Sequence, residues 1–197
     1  DQEDIRPLVD EEDIKRFRDR AMSPERPVVR GTAENPETFF THREASNSAY
    51  ENVPEVVEHY LNELTKITGR EHHLFDYYGA NDAENIIILM GSATEAAREA
   101  IDYLMSQGKK VGMVAVHLYR PFSVKHLLAA VPKTVKRIAV LDRTKEPGAE
   151  GEPLYLDVKS AFYDVENKPL IVGGRYGLGS ADRSEERRVG KECSEPC

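Results

Sequence analysis

The clearest pattern along the chain is a set of short, nearly continuous apolar runs between residues 86 and 172. They occupy residues 86–90, 111–116, 138–141 and 170–172. Runs of valine, isoleucine and leucine without polar alternation are typical of strands that are covered on both faces. We therefore predict an α/β fold with a mostly parallel, doubly wound sheet flanked by helices. Residues 74–78 are predicted to add a strand at its edge.

The segment between the first two runs predicts the helix of a β-α-β unit. Its apolar residues recur at helical spacing: Ala97, Ala100, Ile101, Leu104 and Met105. Ser92, with Glu95 three residues later, is expected to cap the N-terminus of this helix, and Gly108 is expected to end it. The crossover should be right-handed.

The first part of the chain is predicted to be helical. A short charged helix begins near Asp10, a second opens at Asn35, and a third covers about residues 54–67 and stops at Gly69. Amphipathic helices without a core partner of their own suggest the end of a preceding domain.

These patterns divide the chain into four segments. Residues 1–73 are the mainly helical end of one domain, residues 74–169 are a second domain, and residues 170–182 hold its last strand and the start of a link. Residues 183–197 are set apart, because R-S-E-E-R-R-V-G-K-E-C reads as the translation of a common DNA-sequencing adapter. We expect this tail to be an artefact and disordered, and we exclude it from the fold.

Composition narrows the classes of function. The 197 residues have a formal net charge of -8, whereas a nucleic-acid binder needs a basic face. No apolar run approaches the length of a membrane span, and the N-terminal D-Q-E-D-I-R-P lacks the features of a signal peptide. The sequence thus predicts a cytoplasmic protein that binds neither nucleic acid nor membrane.

No metal site is predicted. Both cysteines, Cys193 and Cys197, lie in the last five residues, so they offer no framework within the body of the chain. His72 and His73 are adjacent in sequence, but neighbouring side chains of a strand point to opposite faces and chelate poorly.

A charged loop follows the apolar run at residues 138–141. Proline lacks the N–H that a strand ladder needs and glycine favours turns, so residues 142–152 are predicted to form a structured loop. This loop leaves the carboxyl end of a strand, where functional contacts gather in α/β sheets. The candidate residues are Asp142, Arg143, Thr144, Lys145, Glu146, Pro147 and Gly148.

A weaker candidate is an anion site at Gly91 and Ser92. The strand ending at Met90 leads directly into a helix, whose first turn offers free N–H groups to a phosphate. Neither a G-x-G-x-x-G nor a G-x-x-x-x-G-K-[ST] motif is present. Simple capping by Ser92 is therefore favoured over ligand binding.

Five stretches together resemble pyruvate:ferredoxin (flavodoxin) oxidoreductase. They are R-G-T-A-E-N-P-E-T-F-F-T-H-R-E-A-S-N at 30–47, H-L-F-D-Y-Y-G-A-N-D-A-E-N-I-I-I-L-M-G-S at 73–92, L-Y-R-P-F at 118–122, L-D-R-T-K-E-P-G-A-E-G-E-P-L-Y-L-D-V at 141–158, and V-G-G-R-Y-G-L-G-S at 172–180. The resemblance covers residues 1–180. It implies a homodimeric enzyme of anaerobic metabolism that converts pyruvate and coenzyme A into acetyl-CoA, carbon dioxide and reduced ferredoxin or flavodoxin.

The resemblance also implies roles for the segments. The first would end a thiamine-binding-type domain, and the second would be similar to the C-terminal domain of transketolases. The parent enzyme would use thiamine diphosphate, magnesium and iron-sulfur clusters, but this chain has neither a G-D-G motif nor a C-x-x-C-x-x-C series. We therefore expect no catalytic, cofactor or metal residue here, and a fragment that is inactive alone.

Several interpretations stay open. The preferred one is a structural and interface module whose partners are the other domains of the same polypeptide. A free-standing phosphate- or nucleotide-binding domain, or a thiamine-dependent transketolase-like subunit, would share the α/β fold. The charged loop is expected to dock against another domain, with plain solvation or contact with coenzyme A phosphates as its alternatives.

Overall fold

A computed structural model of the chain describes residues 2–29, 31 and 33–180. The chain divides into two compact units, one ending at His73 and one beginning at Leu74. The tail at residues 183–197, for which disorder is expected, lies outside the described residues.

Helices make up the first unit. They are α1 (Gln2–Ile5), a 3₁₀ turn (Arg6–Leu8), α2 (Glu11–Asp19), α3 (Pro36–Ala45) and α4 (Asn47–Thr68). The predicted start of the third amphipathic helix near residue 54 was wrong, because α4 begins at Asn47 and contains Pro54 in its interior. Proline lacks an N–H and often kinks or ends a helix when it lies in the interior, yet α4 continues through Pro54 to Thr68.

The other predicted helix boundaries of this unit are confirmed. The side chain of Asp10 accepts a hydrogen bond from the backbone N–H of Glu12 at 2.8 Å, and that of Asn35 accepts one from Thr38 N at 3.1 Å. These contacts satisfy N–H groups that have no partner within the helix. Gly69 ends α4 in the left-handed conformation, with φ 69°.

The first unit has helices but no core. Among its described residues none is buried, and Phe17 and Phe40 are 71% and 69% exposed. Helical stability in proteins comes mainly from burying an amphipathic face. The apolar side chains of these helices therefore lie at the surface of the unit.

The second unit is built on a five-stranded sheet with the order β1-β3-β2-β4-β5. The strands are β1 (Phe75–Gly79), β2 (Asn85–Met90), β3 (Val111–Val116), β4 (Arg137–Asp142) and β5 (Leu170–Arg175). All neighbouring strands are parallel except β1, which pairs antiparallel with β3 at the edge. The predicted α/β fold class and the predicted edge strand are confirmed.

Three helices connect the parallel strands. They are α5 (Ala93–Ser106), α6 (Val124–Ala130) and α7 (Pro153–Ala161), and a 3₁₀ turn at Leu178–Ser180 follows β5. Gly108 has φ 75° immediately after the last turn of α5, as expected for the residue that ends a helix. The sequence interpretation missed α7, which begins with Pro153 at a position where proline needs no N–H partner.

The two faces of the sheet hold separate apolar layers. On one face, α5 packs against Leu89, Met113 and Ala115 through Ala93 and Ile101. The opposite face packs against α6 and α7 and contains side chains with at most 4% exposure: Phe75, Ile88, Val114, Leu127, Ile138, Val140, Leu154 and Val158. The strands β1 to β4 thus contribute side chains to both layers, as the continuous apolar runs of β2, β3 and β4 predict.

None of the helices in the described part of the chain combines the length and the apolar character that a membrane crossing requires.

Truncation of Ile88 tests the position of the core. Ile88 lies in the central strand β2 with no exposed surface, so Ile88→Ala should lower the free energy of unfolding by about 2–5 kcal/mol. Val124→Ala is the matched control, because Val124 is 43% exposed at the start of α6. Urea denaturation of both variants provides the measurement, and equal effects would contradict the assignment of Ile88 to the core.

Candidate functional site: the carboxyl edge of the sheet

The candidate residues lie at one edge of the sheet, where the parallel strands β2 to β5 end. The last residues of β2 and β4 are Met90 and Asp142, and those of β3 and β5 are Val116 and Arg175. The helices that follow β2 and β4, α5 and α7, pack on opposite faces. The loops after these two neighbouring strands therefore diverge, which is where open α/β sheets form a crevice.

Asp142 is the most buried of the candidate residues, with 4% exposure. Its Oδ1 accepts a hydrogen bond from Leu154 N at 3.0 Å, and its Oδ2 accepts one from Tyr155 N at 3.1 Å. These N–H groups belong to the first turn of α7, where no partner exists within the helix. Asp142 therefore joins the end of β4 to the start of α7, and its negative charge faces the positive end of the helix dipole.

The environment of Asp142 changes its acidity. Burial raises the pKa of its carboxyl above the usual range, while the hydrogen bonds from Leu154 and Tyr155 act in the opposite direction. The nearby carboxylates of Glu152 and Asp157 raise the pKa further. Hydrogen bonds to the backbone thus offset only part of the cost of removing this carboxylate from water.

Glu152 is a buried residue that joins two parts of this edge through its carboxylate. It is 5% exposed, its Oε2 accepts a hydrogen bond from Glu146 N at 2.7 Å, and its Oε1 lies 2.7 Å from Arg175 Nη1. One carboxylate therefore contacts the middle of the loop and the end of β5. The ion pair is buried only on the Glu152 side, because the Arg175 side chain is 41% exposed.

Further contacts connect the loop to the segment after β5. Tyr176 N donates to Asp142 O at 3.1 Å, and Arg143 Nε donates to Gly177 O at 3.3 Å. Tyr176 also donates from its hydroxyl to Met90 O at 3.2 Å. These hydrogen bonds therefore link the carboxyl ends of β2, β4 and β5, although the loops after β2 and β4 diverge.

The prolines and glycines of the loop have local explanations. Ala149 N donates to Glu146 O at 3.2 Å, which closes a turn over Pro147 and Gly148. Gly148 has φ 80°, and proline followed by such a glycine is typical of a type II β-turn. The turn and the surrounding side chains of Arg143, Lys145 and Glu146 are exposed, while Thr144 is half-buried.

At the weaker candidate site, the predicted capping by Ser92 was wrong. Ser92 occupies the position before α5, but its backbone has φ −61° and ψ −13° and its side chain makes no capping hydrogen bond. Capping side chains usually extend from a residue in the β region. Instead, the turn is held by Thr94, whose backbone N–H and hydroxyl both donate to Gly91 O, at 3.1 and 2.8 Å.

A second charged contact joins neighbouring elements at this edge. Arg120, in the loop after β3, lies 2.7 Å from Asp157 Oδ2 in α7, and its guanidinium stacks on the ring of Tyr119 at 3.9 Å from the centroid. Burial raises the pKa of the Tyr119 hydroxyl. Arg120 thus connects the β3–α6 loop with α7.

Sequence reasoning missed Glu152, Arg175, Tyr176 and Asp157. The available signal for Glu152 was its position directly before Pro153, since proline favours the first position of a helix and so marks the start of α7 at this point. The contacts of Arg175 and Tyr176 depend on the pairing of β5 with β4, which places Arg175 beside Asp142. Hydrophobic patterns do not predict this pairing. The structure brings Asp142, Arg143 and Glu146 together with these residues, and Tyr176 connects them to Met90, the neighbour of Gly91.

The buried carboxylates at this edge are bound by groups of the same unit. Each buried carboxylate accepts hydrogen bonds from backbone or guanidinium groups of the same unit. A catalytic base needs instead to reach the proton that it removes from a substrate. Among the described residues, the contacts of Asp142 and Glu152 therefore shape the loop and present its exposed charged side chains outward.

Two protein-family models match the chain. The family described as pyruvate flavodoxin/ferredoxin oxidoreductase, thiamine diphosphate-binding, matches residues 1–62. The family described as pyruvate:ferredoxin oxidoreductase core domain II matches residues 83–185.

Curated proteins are similar over most of the chain. The pyruvate-flavodoxin oxidoreductase of Enterobacter agglomerans is 57% identical over 182 residues, which cover 92% of this chain and 16% of that protein. The pyruvate:ferredoxin oxidoreductase of Moorella thermoacetica is 51% identical over 180 residues, covering 91% of this chain and 15% of that protein. The chain thus spans less than a fifth of the length of these relatives.

A solved structure also matches. It is the 2-oxoglutarate:ferredoxin oxidoreductase from Magnetococcus marinus with 2-oxoglutarate, coenzyme A and succinyl-CoA bound. The match has a TM-score of 0.38 and 21% identity, and it covers 59% of this chain and 19% of that one.

Removal of the Asp142 carboxylate tests the role of this residue as a brace. Asp142→Ala leaves Leu154 N and Tyr155 N buried without their acceptor, so it should lower the free energy of unfolding by about 2–4 kcal/mol at neutral pH. Asp164→Ala, at an exposed position beyond α7, should change it by less than about 0.5 kcal/mol. Chemical denaturation of both variants measures the difference.

A comparison of the unsubstituted chain with Asp142→Ala at different pH values tests the direction of the pKa change at Asp142. A folded-state pKa raised above the unfolded value means that the folded state holds the proton more tightly. The contribution of this titration to stability is therefore full below the unfolded pKa and is lost as the pH rises through the folded pKa. The difference in the free energy of unfolding between the unsubstituted chain and Asp142→Ala should therefore shrink as the pH rises from the unfolded to the folded pKa of Asp142. A difference that widens over this pH range would contradict a raised pKa in the folded state.

Proposed function

The chain belongs to the pyruvate:ferredoxin oxidoreductase family, and we propose that it is a non-catalytic structural and interface module of such an enzyme. In this proposal residues 1–73 end the thiamine-binding-type domain and residues 74–169 form the second, transketolase C-terminal-like domain. Residues 170–182 hold the last strand of the sheet and the start of a link to the next domain. The order of the two family matches, at residues 1–62 and 83–185, is the observation that supports this assignment.

The parent enzyme is proposed to decarboxylate pyruvate oxidatively with coenzyme A, forming acetyl-CoA and reducing ferredoxin or flavodoxin. The names of relatives that are 57% and 51% identical support this activity. Its thiamine diphosphate, magnesium and iron-sulfur clusters would be bound by parts of the homodimer outside this chain. Cytoplasmic location follows from the proposed partners, which are soluble electron carriers.

The first unit does not fit thiamine diphosphate by itself. A diphosphate site needs an enclosed cradle of donors and a metal, and no described residue of this unit is buried. The family match at residues 1–62 concerns a domain named for this cofactor. We therefore assign no step of the reaction to these residues, and propose that the rest of that domain provides the site.

The charged loop is proposed to dock against another domain of the same polypeptide. Its carboxylates Asp142 and Glu152 face inward, while Arg143, Lys145 and Glu146 are exposed. A loop braced at both ends loses little conformational entropy when a partner binds it. Solvation alone would not need this bracing, although the turn at Pro147 and Gly148 accounts for the proline and glycine there.

A binding experiment separates the module from a free-standing binding domain. The 197-residue chain should bind neither thiamine diphosphate with magnesium nor a nucleotide in the micromolar range, because it offers no complete diphosphate site. Calorimetric titration with each ligand provides the measurement. Micromolar binding of thiamine diphosphate would overturn the module, and micromolar binding of a nucleotide would favour a phosphate site near Gly91.

The full-length protein tested beside it should reduce flavodoxin or ferredoxin when pyruvate and coenzyme A are supplied.

Paired alanine substitutions test the docking of the loop. In the full-length enzyme, Arg143→Ala with Lys145→Ala should reduce turnover or domain assembly, because both cations are exposed on the braced loop. In the 197-residue chain the same pair should change the free energy of unfolding by at most about 0.5 kcal/mol, as for other surface positions.

A control variant distinguishes the loss of the charged loop's contacts from a general loss of two positive charges. Lys125→Ala with Lys133→Ala removes two exposed cations from the segments around α6. This control should leave turnover unchanged. Unaltered turnover of the Arg143 and Lys145 variant would identify the loop as merely solvated, and a large loss of stability in the short chain would assign its charges to the fold of this unit.

A further inference from the structure

An apolar groove lies beside α5 on the face of the sheet that this helix covers only in part. Its volume is about 370 Å³, and side chains of α5, β2, β4 and β5 line it. The principal apolar contributors are Ile87, Ala100, Leu104, Ala139, Leu170 and Val172. The groove belongs entirely to the second unit.

The groove exists because the two faces of the sheet are covered unequally. On the opposite face α7 packs against both β4 and β5. On the α5 face, α5 packs against β1, β2 and β3, and Leu170 and Val172 of β5 remain 62% and 49% exposed. Parallel sheets are normally covered on both faces, so one further element is missing above β4 and β5.

The course of the chain after β5 indicates where that element comes from. Alternation along β5 places Leu170, Val172 and Tyr176 on the same face, and the Tyr176 ring packs against the core beneath α5. The Tyr176 hydroxyl donates to Met90 O at 3.2 Å. The backbone thus leaves the sheet at the carboxyl edge on the same face as the uncovered groove, and the turn at Leu178–Ser180 follows directly.

A positive charge lies at the other end of the groove, at the amino ends of the strands. This charge would stabilise the C-terminus of a helix that starts at the carboxyl edge of the sheet. Arg137 and Asn85 lie at the amino ends of β4 and β2, line the groove, and are joined by a hydrogen bond from Arg137 Nη1 to Asn85 Oδ1 at 3.3 Å. A helix that starts beyond Ser180 and runs back antiparallel to the strands would place its C-terminal carbonyl groups near Arg137. Cations stabilise that end of a helix.

We propose that the groove is the docking surface for the segment that follows residue 180 in the full-length protein. This segment returns over β4 and β5 as an amphipathic helix, with its apolar side against Ala139, Leu170 and Val172. Strands of six residues extend about 20 Å, which a helix of about 13 residues covers. The inference rests on the proposed function, since the relatives extend far beyond the 16% of their length that this chain spans.

The amino-acid composition after residue 182 lacks the apolar pattern of such a helix. Between residues 183 and 197 the only aliphatic side chain is that of Val189, whereas a docking face needs apolar residues at intervals of three and four. This composition agrees with the interpretation of the tail as foreign sequence. The proposed occupant is therefore the natural continuation of the chain.

Photochemical cross-linking in the full-length protein identifies the occupant. Leu170 is replaced by p-benzoylphenylalanine, and the cross-linked peptide is identified by mass spectrometry after irradiation. The expected partner peptide lies within about 25 residues after residue 180, which allows for a connection and the helix. A cross-link to a more distant part of the chain, a cross-linked dimer, or the absence of any cross-link would each overturn the proposal.

Thiol labelling provides a second measurement that does not depend on the bulky photoreactive group. Val172→Cys should react with a maleimide at least about tenfold more slowly in the full-length protein than in the 197-residue chain with Cys193→Ser and Cys197→Ser, because docking excludes the reagent. Within that short chain, Tyr163→Cys is the matched control, since Tyr163 is 74% exposed beyond α7, and both thiols should react at similar rates. Equal reactivity of Val172→Cys in the two proteins would overturn the proposal.

Both readouts are independent of catalysis. If the expected cross-link forms in a protein that fails to reduce an electron carrier with pyruvate, the proposed function fails and the docking surface stands. If the enzyme is active but the cross-link maps elsewhere, only the docking surface fails.

Discussion

The second unit depends on one buried carboxylate placed where a strand ends and a helix begins. Asp142 accepts hydrogen bonds from Leu154 N and Tyr155 N, and its own carbonyl accepts one from Tyr176 N. A single residue thereby fixes the ends of β4 and β5 and the start of α7. Burial raises the pKa of its carboxyl, so this position is maintained against a desolvation cost that the surrounding donors offset only in part.

The continuous apolar runs were sufficient to predict β2 to β5, and in β2, β3 and β4 these runs reflect burial on both faces of the sheet. They could not predict the contacts at the carboxyl edge. The bracing residues Glu152 and Arg175 are 23 positions apart, and only the parallel pairing of β4 with β5 brings them together. Ser92 shows the converse limit: its residue type suits a cap, yet its helical backbone angles prevent its side chain from capping α5.

Both units have apolar surface that their own residues do not cover. In the first unit the described residues form no core, and in the second unit Leu170 and Val172 of β5 are exposed on the face that α5 covers only in part. Isolated proteins seldom leave large apolar patches exposed. Large patches of this kind mark contact sites, and this chain spans 16% of the length of a relative with 57% identity.

The inward and outward charges of the loop at residues 142–152 have different tasks. Asp142 and Glu152 are buried and each contacts at least two groups of the same unit, so loss of either would change the shape of the loop. Arg143 is exposed, and its contact with Gly177 O at 3.3 Å is a peripheral hydrogen bond, so its loss should leave that shape intact. The loop can therefore evolve its outer charges toward a partner while its inner carboxylates maintain the backbone geometry. This separation is what a docking element needs, since a partner recognises charged side chains only when the backbone beneath them keeps their positions fixed.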